Sequence, residues 1–140
     1  MEVRLQTNAK EVAKRVKKKG KELSDSVKRA LSITAQSGVN IILDRTGKGD
    51  GYKGGSFKDY NPLYAAFRLS HGRSEKPDLN FTGQMLGSMT TRSSSSQAEI
   101  FFSRATESKK AAMNNKKRPF FGFTRREEKK LGKIFFRALK

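Results

Sequence analysis

Hydrophobic positions along the chain fall into two periodicities. From Val12 the apolar or small residues Val16, Leu23, Val27, Ala30, Leu31, Thr34, Ile41 and Ile42 lie within a stripe of about 120° when the chain is wound at 100° per residue. The spacing predicts one long helix or two in line. Gly20 and Gly38 fall on the same stripe, and a break near Gly20, with a weakened first half before Lys21, is the reading that glycine's backbone freedom favours. Near the other end, Leu131, Ile134, Phe135, Ala138 and Leu139 follow i, i+3, i+4, i+7, i+8, an apolar face behind the capping box Thr124-Arg125-Arg126-Glu127. This helix should dock on a sheet. Between them Ala98, Ile100 and Phe102 alternate with Gln97, Glu99 and Phe101, the period of two that marks a strand with one face inward.

The remaining elements follow from turn chemistry. Residues 46–55, TGKGDGYKGG, offer little side chain to bury and predict a flexible loop. A short extended piece to Tyr60 is followed by a turn at Asn61 and Pro62 and a short helix carrying Leu63, Ala66 and Phe67. Thr82 is placed to cap a short helix holding Met85 and Leu86, residues 88–92 read as a strand, and the serines of 93–96 as a hairpin tip. A short helix over 105–113 then leads through the basic turn NNKKRP into a brief extended run, 120–123. The expectation is an α+β fold: a long N-terminal helix, a small, mostly antiparallel sheet with a central hairpin, and a C-terminal helix packed on the sheet. One domain over 1–140 is divided into a basic helical arm (1–45), a flexible Gly-rich loop (46–56) and an α+β core (57–140).

Composition narrows the class. A chain of 140 residues supports one core, and with 34% hydrophobic residues that core is thin, so part of the chain belongs to a surface or an interface. Thirty-one Lys and Arg against 13 Asp and Glu give a formal charge of +18, which attracts polyanions and repels copies of the same chain. The absence of cysteine excludes disulfides, Cys-ligated zinc and thiol catalysis. No stretch approaches the roughly 18 apolar residues of a membrane span, and we expect no membrane association.

Motifs for chemistry are weak. Gly49, Gly51 and Gly54 match G-x-G-x-x-G, but a helix precedes and a turn follows, where the dinucleotide motif needs a strand before and a helix after. His71, the single histidine, lies in a polar stretch, and no serine has a G-x-S-x-G setting. Glu127 and Glu128 open a helix, where the dipole accounts for them. We expect no enzyme, no cofactor and no metal. Lys14, Lys17, Lys18 and Lys21 lie opposite the apolar stripe and could meet a DNA backbone, since closely spaced ammonium groups suffice for phosphate contact; a solvated face explains them as well. Phe120, Phe121 and Phe123 beside Lys116, Lys117 and Arg118 suggest either a base-stacking platform or, more simply, packing under the last helix.

Residues 79–89, LNFTGQMLGSM, with Thr82, Gly83, Leu86 and Ser88, resemble the TG-x-[ML]-x-x-S core of the small tail-completion proteins of tailed bacteriophages, also called virion-morphogenesis, tail-terminator or head-to-tail joining proteins. Residues 118–124, RPFFGFT, with Arg118, Pro119, Phe120, Gly122 and Thr124 leading to Glu127, resemble their RPFxGxT/S entry into a final helix, and Tyr60, Pro62 and Tyr64 resemble their Y-x-P-x-Y element. The resemblance covers 57–140. It implies a structural virion protein forming a homo-oligomeric ring, commonly a hexamer, at the head-proximal end of the tail. Such a ring joins tail tube to head connector around the genome's passage and is assembled in the host cytoplasm. The alternative from another class is a free basic nucleic-acid-binding protein of nucleoid or ribosomal type, which charge and the lysine-rich helix support.

Overall fold

The computed structural model describes residues 2–5, 20–80 and 82–139. Helix α1, Lys21–Gly47, starts directly after Gly20, whose φ of +91° is left-handed and stops helix propagation at the residue the periodicity singled out. Val27, Ala30, Leu31, Thr34, Ala35, Val39, Ile42 and Thr46 are buried along one face, while Lys28 and Arg29 are exposed on the other. Thr34 enters this apolar seam without an orphaned hydroxyl because its Oγ1 donates to the Ala30 carbonyl at 2.7 Å. The helix outruns its expected end by two residues: Thr46, read as the start of the loop, is fully buried one turn beyond Ile42.

Strands β1 (Glu2–Leu5), β2 (Met89–Ser93) and β3 (Ala98–Phe102) form an antiparallel sheet in the order β1-β3-β2. In the hairpin Met89 faces Phe102, Thr91 faces Ile100 and Ser93 faces Ala98, and the tip closes with the Ser94 N–H donating to Gln97 at 2.8 Å. Ala98, Ile100 and Phe102 point into the core, as alternation requires. Glu99, at a polar position, is nevertheless buried, because β3 is the central strand and Arg92, its cross-strand partner, lies over it in an ion pair. Residues 2–5, read as the start of a helical arm, instead add an edge strand, with Val3 opposite Ile100. Four residues are too short a run for a period of two to stand out in the sequence.

Helices α2 (Pro62–Ser70), α3 (Gln84–Gly87), α4 (Ala105–Lys117) and α5 (Arg125–Ala138) complete the fold. α1 lies over β2 and β3 and takes α5 along its length, while α4 packs beside α3 and β3. Leu131 and Phe135 bring α5 into the same apolar core as Ile100, Phe102, Leu31 and Ile42, which gives the α+β architecture read from the sequence. Beneath α5, Phe102, Phe120 and Phe121 form an aromatic cluster with ring centroids 5.0–6.4 Å apart, so these phenylalanines pack rather than present a platform. α4 extends through Lys117, four residues past the expected stop, and absorbs most of the basic turn.

The capping box is formed in full: Thr124 Oγ1 accepts from the Glu127 N–H at 3.1 Å and the Glu127 carboxylate accepts from the Thr124 N–H at 2.9 Å. Thr124→Ala is expected to cost about 1 kcal/mol of stability, and Phe135→Ala, which empties a fully buried site, about 3–5 kcal/mol. Denaturant titration checks both; equal, negligible losses would mean that α5 is undocked.

Candidate functional site

The segment 118–124 is a meeting point for three parts of the chain. Arg45, in the last turn of α1, reaches across to it: Nη2 donates to the carbonyls of Phe120 at 2.6 Å and Gly122 at 2.8 Å, and Nη1 pairs with Glu127. Glu127 Oε1 therefore serves both the helix cap and the guanidinium. From the other side the Gly-rich segment folds down onto the motif. The Tyr52 N–H donates to the Pro119 carbonyl at 3.0 Å, Phe57 N–H donates to Gly49 at 2.7 Å, and Asp50 and Ser56 form an isolated antiparallel bridge. The loop expected to be flexible is thus a hydrogen-bonded turn built on close approach. A Cβ on Gly51 would stand 2.8 Å from the Pro119 oxygen, and one on Gly122 would stand 2.6 Å from the Tyr52 ring. Composition identified glycines without side chains to bury, but not that their bareness lets two backbones touch.

A second cluster forms around Tyr60. Its ring lies between two guanidinium groups, with Arg118 4.6 Å and Arg68 4.9 Å from the ring centroid, and it meets Tyr64 edge-on at 5.0 Å. Arg118 Nε and Nη2 donate to the carbonyls of Lys58 and Asp59 at 2.7 and 2.9 Å. Arg68 is 1% exposed; its Nε donates to Ser74 at 2.8 Å and its Nη2 to Asp78 at 2.8 Å. The Tyr60 hydroxyl accepts from the N–H of Leu79, a non-glycine residue held at a φ of +57°. Burial holds the Tyr60 phenol above the ordinary tyrosine value, against the opposing pull of that hydrogen bond and of Arg68.

These residues floor a cleft of about 500 Å³, bounded also by Tyr64, Gly83, Met85 and Glu107. Glu107 is the cleft's one carboxylate; its Oε1 accepts from Lys110 at 3.2 Å, whereas Oε2 is buried without a hydrogen-bond partner. Among the described residues there is no group of three or more His, Cys, Asp and Glu placed to hold a metal ion. His71 is exposed at the end of α2, its Nδ1 2.9 Å from the Phe67 carbonyl.

The three motif segments therefore meet at two adjoining places. Tyr60, Tyr64, Thr82, Gly83 and Arg118 line the cleft; Pro119, Phe120, Gly122, Thr124 and Glu127 form the Arg45 clasp. Leu86 is buried in the core and Ser88 Oγ donates to the Met85 carbonyl at 2.9 Å, closing α3. Gly83, with a φ of +80°, occupies the cap position assigned to Thr82, whose Oγ1 still accepts the Gln84 N–H at 3.3 Å; the left-handed backbone needed one residue later selects glycine. Lys14, Lys17 and Lys18 lie outside the described residues, as does the side chain of Lys21. Arg45 and Arg68 went unread because a buried arginine has no periodic signature; Arg45 finds its partners some 75–82 residues away, and Arg68 finds its own, Ser74 and Asp78, across a loop.

The outer side of this cluster is α2 itself. Leu63 is 82% exposed, Leu69 54%, Phe67 47% and Tyr64 40%, on a helix whose buried anchor is Arg68. No helix among the described residues is long and apolar enough to cross a membrane. No family model, curated protein or solved structure matches the chain, so the motif resemblance stands on its own residues.

Two outcomes test the geometry. Gly51→Ala drives a methyl group against the backbone carbonyl of Pro119 and should cost about 2 kcal/mol. Gly122→Ala should be relieved when Tyr52 is also replaced by Ala, and strict additivity of the two would contradict the contact. Tyr60 gives a pH signature. Below the ordinary tyrosine value of 10.0 both folded and unfolded chains keep the proton; above it the unfolded chain ionises first. Stability should be complete below that value and decline as pH rises towards the raised folded value. Tyr60→Phe should lose this component of the alkaline decline, read by thermal unfolding from neutral to alkaline pH with phenolate absorbance followed in parallel.

Proposed function

We propose that the chain is a structural component of a phage tail-to-head junction, a homo-oligomeric ring that completes the tail and joins it to the head connector around the DNA passage. The observation that carries this reading is the apolar face of α2, held in place from within by Arg68 and offered to solvent by a protein otherwise dominated by charge. An isolated chain gains nothing from anchoring Leu63 and Phe67, one turn apart on the same face, in water; a second copy seated on them would bury both. Charge repulsion between copies makes such an apolar contact the more necessary. The outer edges of β1 and β2 supply further backbone for pairing between copies.

In this reading the residues resembling the tail-completion motifs are framework: they hold the cleft and the clasp, and the clasp holds the helices. The work is stoichiometric assembly, with no bond made or broken. Six copies, as the resemblance implies, would form the annulus, with tail tube and head connector as neighbours.

The chain should sediment as an oligomer at micromolar concentration and appear as an annulus at the head-proximal end of tails in negative stain. Leu63→Asp with Phe67→Ser should weaken self-association by about 2 kcal/mol or more, roughly thirtyfold, while the melting temperature of the isolated chain is unchanged. A monodisperse monomer at every concentration, never found on tails, would overturn the ring and favour a free basic nucleic-acid-binding protein.

A further inference from the structure

The charge of α5 is organised in a way its stability does not require. Arg126, Lys129, Lys130, Lys133 and Arg137 follow i, i+3, i+4, i+7 and i+11, which places them on one arc of about 100°, away from Leu131 and Phe135. All five are exposed, and none has an ion pair among the described residues. The first four surround a shallow groove of about 380 Å³ with no acid in its lining. Asp44, Asp50 and Glu127 flank the arc beside α1, where Asp44 pairs with Lys48 and Glu127 with Arg45. Glu128 lies on the far side of the apolar face.

Arg125 and Arg126 also occupy the first turn of the helix, where the macrodipole favours acids and disfavours cations. Clustered cations without ion-pair partners among the described residues, partly at the wrong end of the dipole, cost the isolated protein stability. An external polyanion reverses the sign of each term. We propose that this face of α5 binds the phosphate backbone of duplex DNA without reading its sequence.

The geometry separates DNA from the other anionic surfaces. From Arg126 to Arg137 the stripe is about 16 Å long at 1.5 Å per residue, and duplex DNA presents about one charge per 1.7 Å of axis along that length. An anionic membrane would be met by a helix free to insert its apolar face, but that face is committed to the core. Three of the five residues are Lys, whose compact ammonium group suits phosphate contact better than bidentate pairing with a base edge. The inference rests on the charge geometry of one helix and holds whether or not copies associate through α2.

The test is fluorescence anisotropy of the full chain with two mixed-sequence duplexes of unrelated sequence, between 50 and 200 mM salt, about the range over which phosphate contacts dominate affinity. Equal affinity for the two is expected. Replacing Arg126, Lys129, Lys130, Lys133 and Arg137 together by Gln should lower the slope of log K against log salt by up to about 4.5, at roughly 0.9 per contact. Should the fivefold variant fold poorly by circular dichroism, Lys129→Gln and Lys133→Gln tested singly should each lower it by about 0.9. Folded variants with the wild-type slope would overturn the proposal. So would affinity that depends on duplex sequence, or displacement of DNA by polyglutamate at equal charge concentration, which would assign the face to an acidic protein. Loss of binding to phosphatidylserine vesicles with DNA binding retained would equally reject it.

Discussion

A guanidinium taken out of water needs acceptors, and in this protein the acceptors gathered by the two terminal nitrogens of Arg45 organise the fold, while its Nε is buried without one. Arg45 is 10% exposed at the end of the longest helix. The acceptors it finds are two carbonyls of the 118–124 segment and the carboxylate that caps α5. Placing that one side chain fixes the end of α1, the path of the motif and the start of α5 relative to each other. Removing either charge would leave the other buried and unpaired, which is far costlier than the net worth of the pair. The tight glycine approach of Gly51 to Pro119 and of Gly122 to Tyr52 closes the same junction from outside.

From this constraint follows a division between inside and outside. The core, thin by composition, is concentrated where α1, the sheet and α5 converge, and three arginines, Arg45, Arg68 and Arg118, are spent on internal carbonyls. The surplus charge is left on the surface, and on α5 it is gathered into one arc. α2 is the opposite case: an apolar helix whose polar residue is buried and whose apolar residues are exposed. The fold thus leaves two distinct features at its surface, exposed apolar side chains on α2 and clustered cations on α5.

Much of this was legible where the physics is local. The α1 seam, the helix start after Gly20, the hairpin tip at 93–96 and the α5 cap depend on neighbours within a few residues, and periodicity, turn or capping chemistry reports them directly. β1 depends on a strand almost a hundred residues away and left no trace in a four-residue run. The Gly-rich segment looked loose because its order comes from backbone contacts with Pro119 rather than from side chains. At the candidate site, the structure brings most of the motif residues together at the cleft and the Arg45 clasp. Arg45 and Arg68 left no trace because burial of a charge is decided by the three-dimensional path of the segments that meet it, not by spacing along the chain. The arc on α5 follows from the same spacing as the apolar face, since the two lie on opposite sides of one helix.

The central claim is that the Arg45 clasp ties α1, the 118–124 segment and α5 into one unit, and a double-mutant cycle on Arg45 and Glu127 tests it most directly. Glu127→Gln keeps an acceptor at the capping-box position and removes the charge, and Arg45→Met keeps the stem and removes the guanidinium. Denaturant titration of the wild type, both single variants and the double variant yields the coupling. The expected coupling is about 1.5 kcal/mol or more, with the double variant less destabilised than the sum of the singles. Singles that add to within about 0.5 kcal/mol would contradict it.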